Sequence, residues 1–135
     1  MLRWALDGPE QFAQYIAAFN SGDIEGYSKF YDKDVVFEGR GRHLNGRDAI
    51  VEYYRETHKR LRQHITVKRA YFGSDGFAAD METELHFLED WLDFFAGPMR
   101  AGETRRTLNF AFYSVRNGLM TLIRTANFSS TKITP

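Results

Sequence analysis

The chain has 135 residues, no cysteine, and 18 basic against 18 acidic side chains, so its formal net charge is zero. A hydrophobic fraction of 43% with 16% aromatics is too apolar for a disordered chain, and the neutral balance excludes the basic footprint of a general nucleic-acid binder. The missing cysteines exclude disulfides, thiol catalysis and thiolate-held metal, and no run approaches the roughly 18 apolar residues of a membrane span.

The length suits one domain over residues 1–135. Met1 to Asp7 lacks the apolar centre of a signal peptide, so a cytoplasmic location is expected. Asp7-Gly8-Pro9-Glu10 reads as a helix start, with a capping residue, an early proline and an acid in the first turn. Phe12, Tyr15, Ile16 and Phe19 then fall at i, i+3, i+4 and i+7 on one apolar stripe. Asn20-Ser21-Gly22-Asp23 ends that helix and caps a short second one, with Ile24, Tyr27, Phe30 and Tyr31 inward. Asp32-Lys33-Asp34 reads as a break, and Val35 to Glu38 as a short strand stopped by Gly39 and Gly41. Asn45-Gly46-Arg47-Asp48 opens the longest helix, whose stripe is Ile50, Tyr53, Tyr54, Thr57, His58 and Leu61.

The second half reads as strands. These run from His64 to Phe72, Phe77 to Glu89, Glu103 to Arg116 and Leu119 to Ser129. Gly73-Ser74-Asp75-Gly76 and Asn117-Gly118 are the turns, and 90–102 is irregular, broken by Gly97-Pro98. Helices followed by a meander of long strands predict an α+β fold: a curved, mostly antiparallel sheet covered on one face by three helices, enclosing a cone-shaped cavity. The uncovered sheet face predicts a homodimer.

Tyr15 to Gly26 resembles the first two helices of bacterial ketosteroid isomerase, and Phe30 to Glu38 resembles its helix-to-strand passage. Gly46 to Tyr54 is similar to the third-helix signature of the same nuclear-transport-factor-2-like superfamily, a cystatin-like roll that includes the SnoaL-like polyketide cyclases. The resemblance puts Tyr15 at the oxyanion-hole tyrosine and Glu38 at the carboxylate base. The isomerase's third group, a neutral aspartic acid, has no counterpart. Ala111 takes its place, and Asn109 is the nearest polar residue on that strand face. The irregular segment from Trp91 to Gly102 is more similar to the cyclases.

The residues themselves allow proton transfer. A carboxylate in an apolar pocket is more basic than usual, and a phenol beside it can donate to a developing oxyanion. The bland alternatives are a core tyrosine at Tyr15 and, at Glu38, a strand-end acid paired with Arg40, Arg42 or His43. Asp80, Glu82, Glu84 and His86 share one face of a strand whose other face is Ala79, Met81, Thr83, Leu85 and Phe87. Alternation alone puts the acids in water. The resemblance turns Glu82, Glu84 and His86 into the cavity, where Glu84 and His86 would form a second acid–base set. Both directions stay open.

Phe19, Phe30, Tyr54, His58, Trp91 and Tyr113 are expected to line the pocket. Arg40, Arg42 and Arg47 read as a solvated loop, with attraction of an anionic ligand as the alternative. No histidine pair has ligand spacing, so neither metal nor cofactor is expected. The expected function is a cofactor-independent isomerase, cyclase or dehydratase acting on a small apolar carbonyl or hydroxylated compound. Tyr15, Glu38, Glu84, His86 and Asn109 are its candidate catalytic residues. The alternative is a non-catalytic small-molecule-binding or dimerisation module.

Overall fold

The protein is described by a computed structural model that covers Leu6 and residues 8–133. Helix α1 spans Pro9–Asn20 and buries Phe12, Tyr15, Ile16 and Phe19, the stripe its spacing predicts. Gly8 is the residue at its N-cap, and Asp7, the expected cap, lies outside the described residues. Helix α2 is only Ile24–Ser28, capped by Asp23 accepting from the Gly26 amide. Helix α3 spans Arg47–Arg60 and buries Ile50, Tyr54 and Thr57.

Strand β1 runs over Tyr31–Gly39, longer than expected. Asp32-Lys33-Asp34 does not break the chain there. It lies within a register shift between Tyr31 and Val36, so the acids face out while pairing resumes. Strand β2, Arg42–Asn45, has no counterpart among the sequence expectations. Strands β3 (Leu61–Phe72), β4 (Gly76–Phe87), β5 (Thr104–Arg116) and β6 (Leu119–Lys132) form the meander. The sheet order is β2-β1-β6-β5-β4-β3. Only β1 and β6 pair in parallel; the other neighbours are antiparallel.

Register shifts that leave Lys68 of β3 unpaired against β4, and Thr121 and Phe128 of β6 unpaired against β5, bend the sheet, and the helices cover its concave side. Phe12 of α1 packs at an inclined angle on Phe77 and Tyr113 of the sheet, at 4.6 and 5.4 Å between ring centroids. The main core therefore fills one end of the concave face. A second cluster of Leu61, Leu85, Phe87, Phe94 and Met99 fills the other end, where the segment after β4 folds back through a Trp91–Met99 bridge. The space left between these clusters is the cavity.

Candidate functional site

Alternation along the strands decides which residues meet that cavity. On β4 the buried set is Phe77, Ala79, Met81, Thr83, Leu85 and Phe87, so Glu82, Glu84 and His86 point to the opposite, outer face. There Arg106 lies 3.4 Å from Glu82 and 3.5 Å from Glu84, and His86 Nδ1 lies 3.0 Å from the Thr104 hydroxyl. The inward reading of these three residues is thereby corrected: a one-residue step along a strand reverses the face, and the apolar set holds the inner one.

Glu38 is likewise on the outer side of β1, opposite Phe37. Arg124 of β6 donates to it at 2.9 Å, and His43 lies 3.7 Å away. The Arg124 hydrogen bond above all holds its carboxyl below the usual carboxylate range, which suits an ion-pair partner and not a cavity base. Tyr15 does lie inside, but its hydroxyl is 2.8 Å from that of Tyr31, and burial pushes both phenols well above the usual tyrosine range. Tyr15 and Glu38 are thus on opposite sides of the sheet and form no site together.

The cavity measures about 530 Å³, within the roughly 300–1,000 Å³ of small-molecule sites. Its apolar wall is Leu61, Leu85, Trp91, Phe94 and Phe95. Its polar ledge is Gln63, Thr83, Thr107, Asn109 and Asn127, contributed by successive strands of the sheet. Thr83 Oγ1 donates to Asn109 Oδ1 at 2.9 Å, which fixes the amide and leaves its NH2 free to donate. Asn109 is only 2% exposed. Gln63 is 7% exposed and its Oε1 has no protein partner, so it presents an acceptor that a ligand donor can satisfy.

Arg40 closes the inner end. With Gly41 it forms a two-residue hairpin loop between β1 and β2, at φ 55° and 72°. Arginine in that left-handed conformation costs of order 1 kcal/mol. The turn sends its side chain inward, where it lines the cavity with Tyr53 and the space behind it with Tyr15, Tyr54 and Tyr113. Behind Arg40 and Asn109 lies a small chamber of about 20 Å³, lined also by Tyr15, Phe19, Tyr54, Tyr113 and Thr125. By its size it holds one water molecule at most.

Of the expected pocket residues, Trp91 lines the main cavity, as does the catalytic candidate Asn109, and Phe19, Tyr54 and Tyr113 line the chamber. Phe30 lines neither: it is a core residue, 5.8 Å from the Tyr15 ring. His58 also misses both, packing on Phe19, Tyr27 and Tyr54, and burial lowers its pKa. A group depressed in the folded state contributes stability above its unfolded pKa of about 6.5 and loses it as pH falls through the lower folded value. Denaturant titrations between about pH 7 and 5 should show stability falling with pH, and His58→Gln should flatten that slope.

The segment carrying Trp91 is fastened at both ends. Arg60 stacks 3.7 Å over the Trp91 ring while donating to Glu89 at 2.6 Å. Among the described residues, no group of three or more His, Asp or Glu side chains is placed to hold a metal ion. No described helix is long and apolar enough to cross a membrane.

The SnoaL-like domain family matches residues 12–123, which include the helices and most of the sheet. The chain belongs to that family. Among solved structures, a candidate polyketide cyclase from Xanthomonas campestris pv. campestris superposes on this SnoaL-like chain with a TM-score of 0.74 at 20% identity, covering 84% of each chain. A protein of ketosteroid isomerase-like fold from Catenulispora acidiphila, solved with trimethylamine, gives 0.69 at 16% identity over 87% of this chain and 85% of the other. A nuclear-transport-factor-2-like protein from Cytophaga hutchinsonii gives 0.62 at 14% identity, covering 86% and 85%. Curated proteins give no match. The fold is nuclear-transport-factor-2-like, as the resemblance implies, and such likeness fixes architecture but not reaction.

Sequence reasoning missed Gln63, Thr83, Thr107 and Asp93 as lining residues, and read Arg40 as a solvated loop residue with attraction of an anionic ligand as the alternative. Two of them carried a legible signal. Gln63 and Thr83 interrupt strand faces that are otherwise apolar, and a polar residue on a buried face has to meet a partner or a cavity.

Proposed function

We propose that the cavity is the active site of a cofactor-independent enzyme that moves a proton on a small, largely apolar carbonyl or hydroxylated compound. The observation that carries this reading is the oriented Asn109 amide, buried beside Arg40 at the inner end of an apolar cavity. A carbonyl oxygen there would accept from the Asn109 NH2 within the positive field of Arg40. Those groups would stabilise the negative charge that forms when an adjacent C–H loses its proton.

The base comes from the cavity's other walls. Glu52 and Glu56 line it but are held by Arg55 at 3.3 Å and Lys59 at 2.9 Å. Asp93, on the segment after β4, lines it with no ion-pair or hydrogen-bond partner among the described residues. In this reading its carboxylate takes the proton from carbon, the C–H electron pair becomes the C=C bond as the carbonyl π pair moves to oxygen, and the enolate is reprotonated by Asp93 at the same carbon or, in a conjugated dienolate, at the γ-carbon. Departure of a β-hydroxyl from the enolate as water, taking the proton from Asp93, would be dehydration, and attack of the enolate carbon on a second carbonyl, whose oxygen takes that proton, would be cyclisation. The test is a screen of carbonyl compounds that reads thermal stabilisation and turnover together. Stabilisation with turnover supports the enzyme. Stabilisation without turnover favours the binding module.

The outer sheet face supports a second proposal, pairing with another copy of the chain. Leu108, Phe110 and Phe112 alternate along β5, and Phe128 of β6 packs 5.8 Å from Phe110. Phe112 is 65% and Phe128 72% exposed. The charges around them are already neutralised in pairs: Arg106 with Glu82 and Glu84, Arg124 with Glu38, and Arg69 with Asp80. A two-fold axis through this patch lays apolar on apolar and brings no lone like charges together. Light scattering should give a dimer that Phe112→Asp converts to monomer. A monomeric wild-type protein at micromolar concentration would refute it.

A further inference from the structure

The charged side chains that line the cavity are not all paired. Of its acidic lining residues, Glu52 and Glu56 are taken by Arg55 and Lys59, and of its basic ones Arg60 is taken by Glu89. Arg40, Arg42 and Asp93 remain without ion-pair partners among the described residues, two cations against one anion. Arg42 rests on the Tyr53 ring at 5.6 Å. Arg40 reaches deepest, and its surroundings are phenols, which at neutral pH are uncharged dipoles.

An arginine cannot shed its proton to relieve that position. A half-buried cation that lines a cavity has given up part of its hydration, which neutral partners do not fully replace and a counter-ion does. The chain also holds Arg40 in a left-handed hairpin position that Asn or Gly would occupy with less strain. Strain, missing counter-ion and cavity lining converge on one residue. A guanidinium offers paired parallel donors that match a carboxylate, and the Asn109 NH2 lies in the same wall.

We infer that the ligand of this cavity is an oxo acid: its free carboxylate docks on Arg40, its carbonyl oxygen on Asn109, and its apolar body on Trp91, Phe94 and Phe95. This rests on the proposed active site and narrows its substrate class. Arg40 is the specificity-determining residue for the acid, while the proton is still handled from Asp93.

The probes are phenylpyruvate and its neutral methyl ester, with affinities measured by calorimetry on the full chain. The wild-type protein should bind the acid about tenfold or more tightly than the ester, as expected of a charge-assisted pair. Arg40→Asn should bring the two affinities together. That variant keeps the hairpin, since Asn-Gly suits this turn, and an unchanged or raised melting temperature would verify it. As a check that needs no variant, benzoate should displace phenylpyruvate from the wild-type protein and benzamide should not.

Equal affinity for acid and ester in the wild type, an acid preference that survives Arg40→Asn, or no binding of either probe overturns the inference. Proton exchange on the ester without preference for the acid would overturn it while leaving the proposed activity standing. An Arg40-dependent acid preference with no proton exchange would uphold it and overturn the activity.

Discussion

Asp93→Asn is expected to lower kcat by about 10²–10⁴-fold on any carbonyl compound the protein turns over, while ligand affinity changes little. The amide keeps the shape of the side chain but cannot accept a proton. Asp93 has no partner among the described residues whose loss would disturb the fold, so the melting temperature should hold. Asn109→Ala should act differently. It removes a donor to the developing oxyanion, a loss of about 10²–10³-fold, and leaves the Thr83 hydroxyl without its acceptor. Steady-state kinetics of both variants on one substrate check the assignment. A D93N enzyme with unchanged kcat would move the base to Glu52 or Glu56.

The largest stability loss is expected from Phe87→Ala. Phe87 is fully buried, and its ring lies 5.0 Å from Phe94 and 6.2 Å from Trp91. Its backbone also anchors the return of the chain, donating to Glu103 at 2.9 Å and accepting from Gly102 at 2.8 Å. Truncation leaves a cavity between two sheet strands and the segment above them, at a cost of about 3–5 kcal/mol. That is a large share of the roughly 5–15 kcal/mol that holds a domain of this kind together. Denaturant unfolding should show a lower midpoint with little change in slope. Because the same ring supports the segment that carries Asp93, Phe94 and Phe95, surviving folded protein should also bind ligand more weakly.

Much of the architecture was legible because it follows from periodicity. The α1 stripe, the alternation of β4 and the Asn117-Gly118 hairpin, with both residues at positive φ, stand where their residues put them. The β1–β2 hairpin was not legible, since its turn is made by Arg40-Gly41 and arginine does not announce a left-handed position. The length of β1 was hidden by Asp32-Lys33-Asp34, which reads as a break and is accommodated in a register shift.

The site was harder to read than the fold. Asn109 was singled out through the resemblance, as the nearest polar residue on the strand face that carries Ala111, and Trp91 because an irregular aromatic segment stood out; both line the cavity. Glu38, Glu82, Glu84 and His86 were drawn inward by resemblance, while the alternation of β4 already placed its acids in water. Asp93 and Arg40 meet only through tertiary structure, one on a folded-back segment and one on a turn, and no spacing in the sequence links them.

The most direct measurement is deuterium incorporation from D2O at the carbon beside the carbonyl of phenylpyruvate and of phenylacetone, followed by proton NMR with wild-type and Asp93→Asn protein. Exchange accelerated over buffer by the wild-type protein, and returned to the buffer rate by the substitution, is the expected result. Exchange no faster than buffer, in samples where the compounds are shown to bind, would contradict proton transfer in this cavity and leave it a binding site.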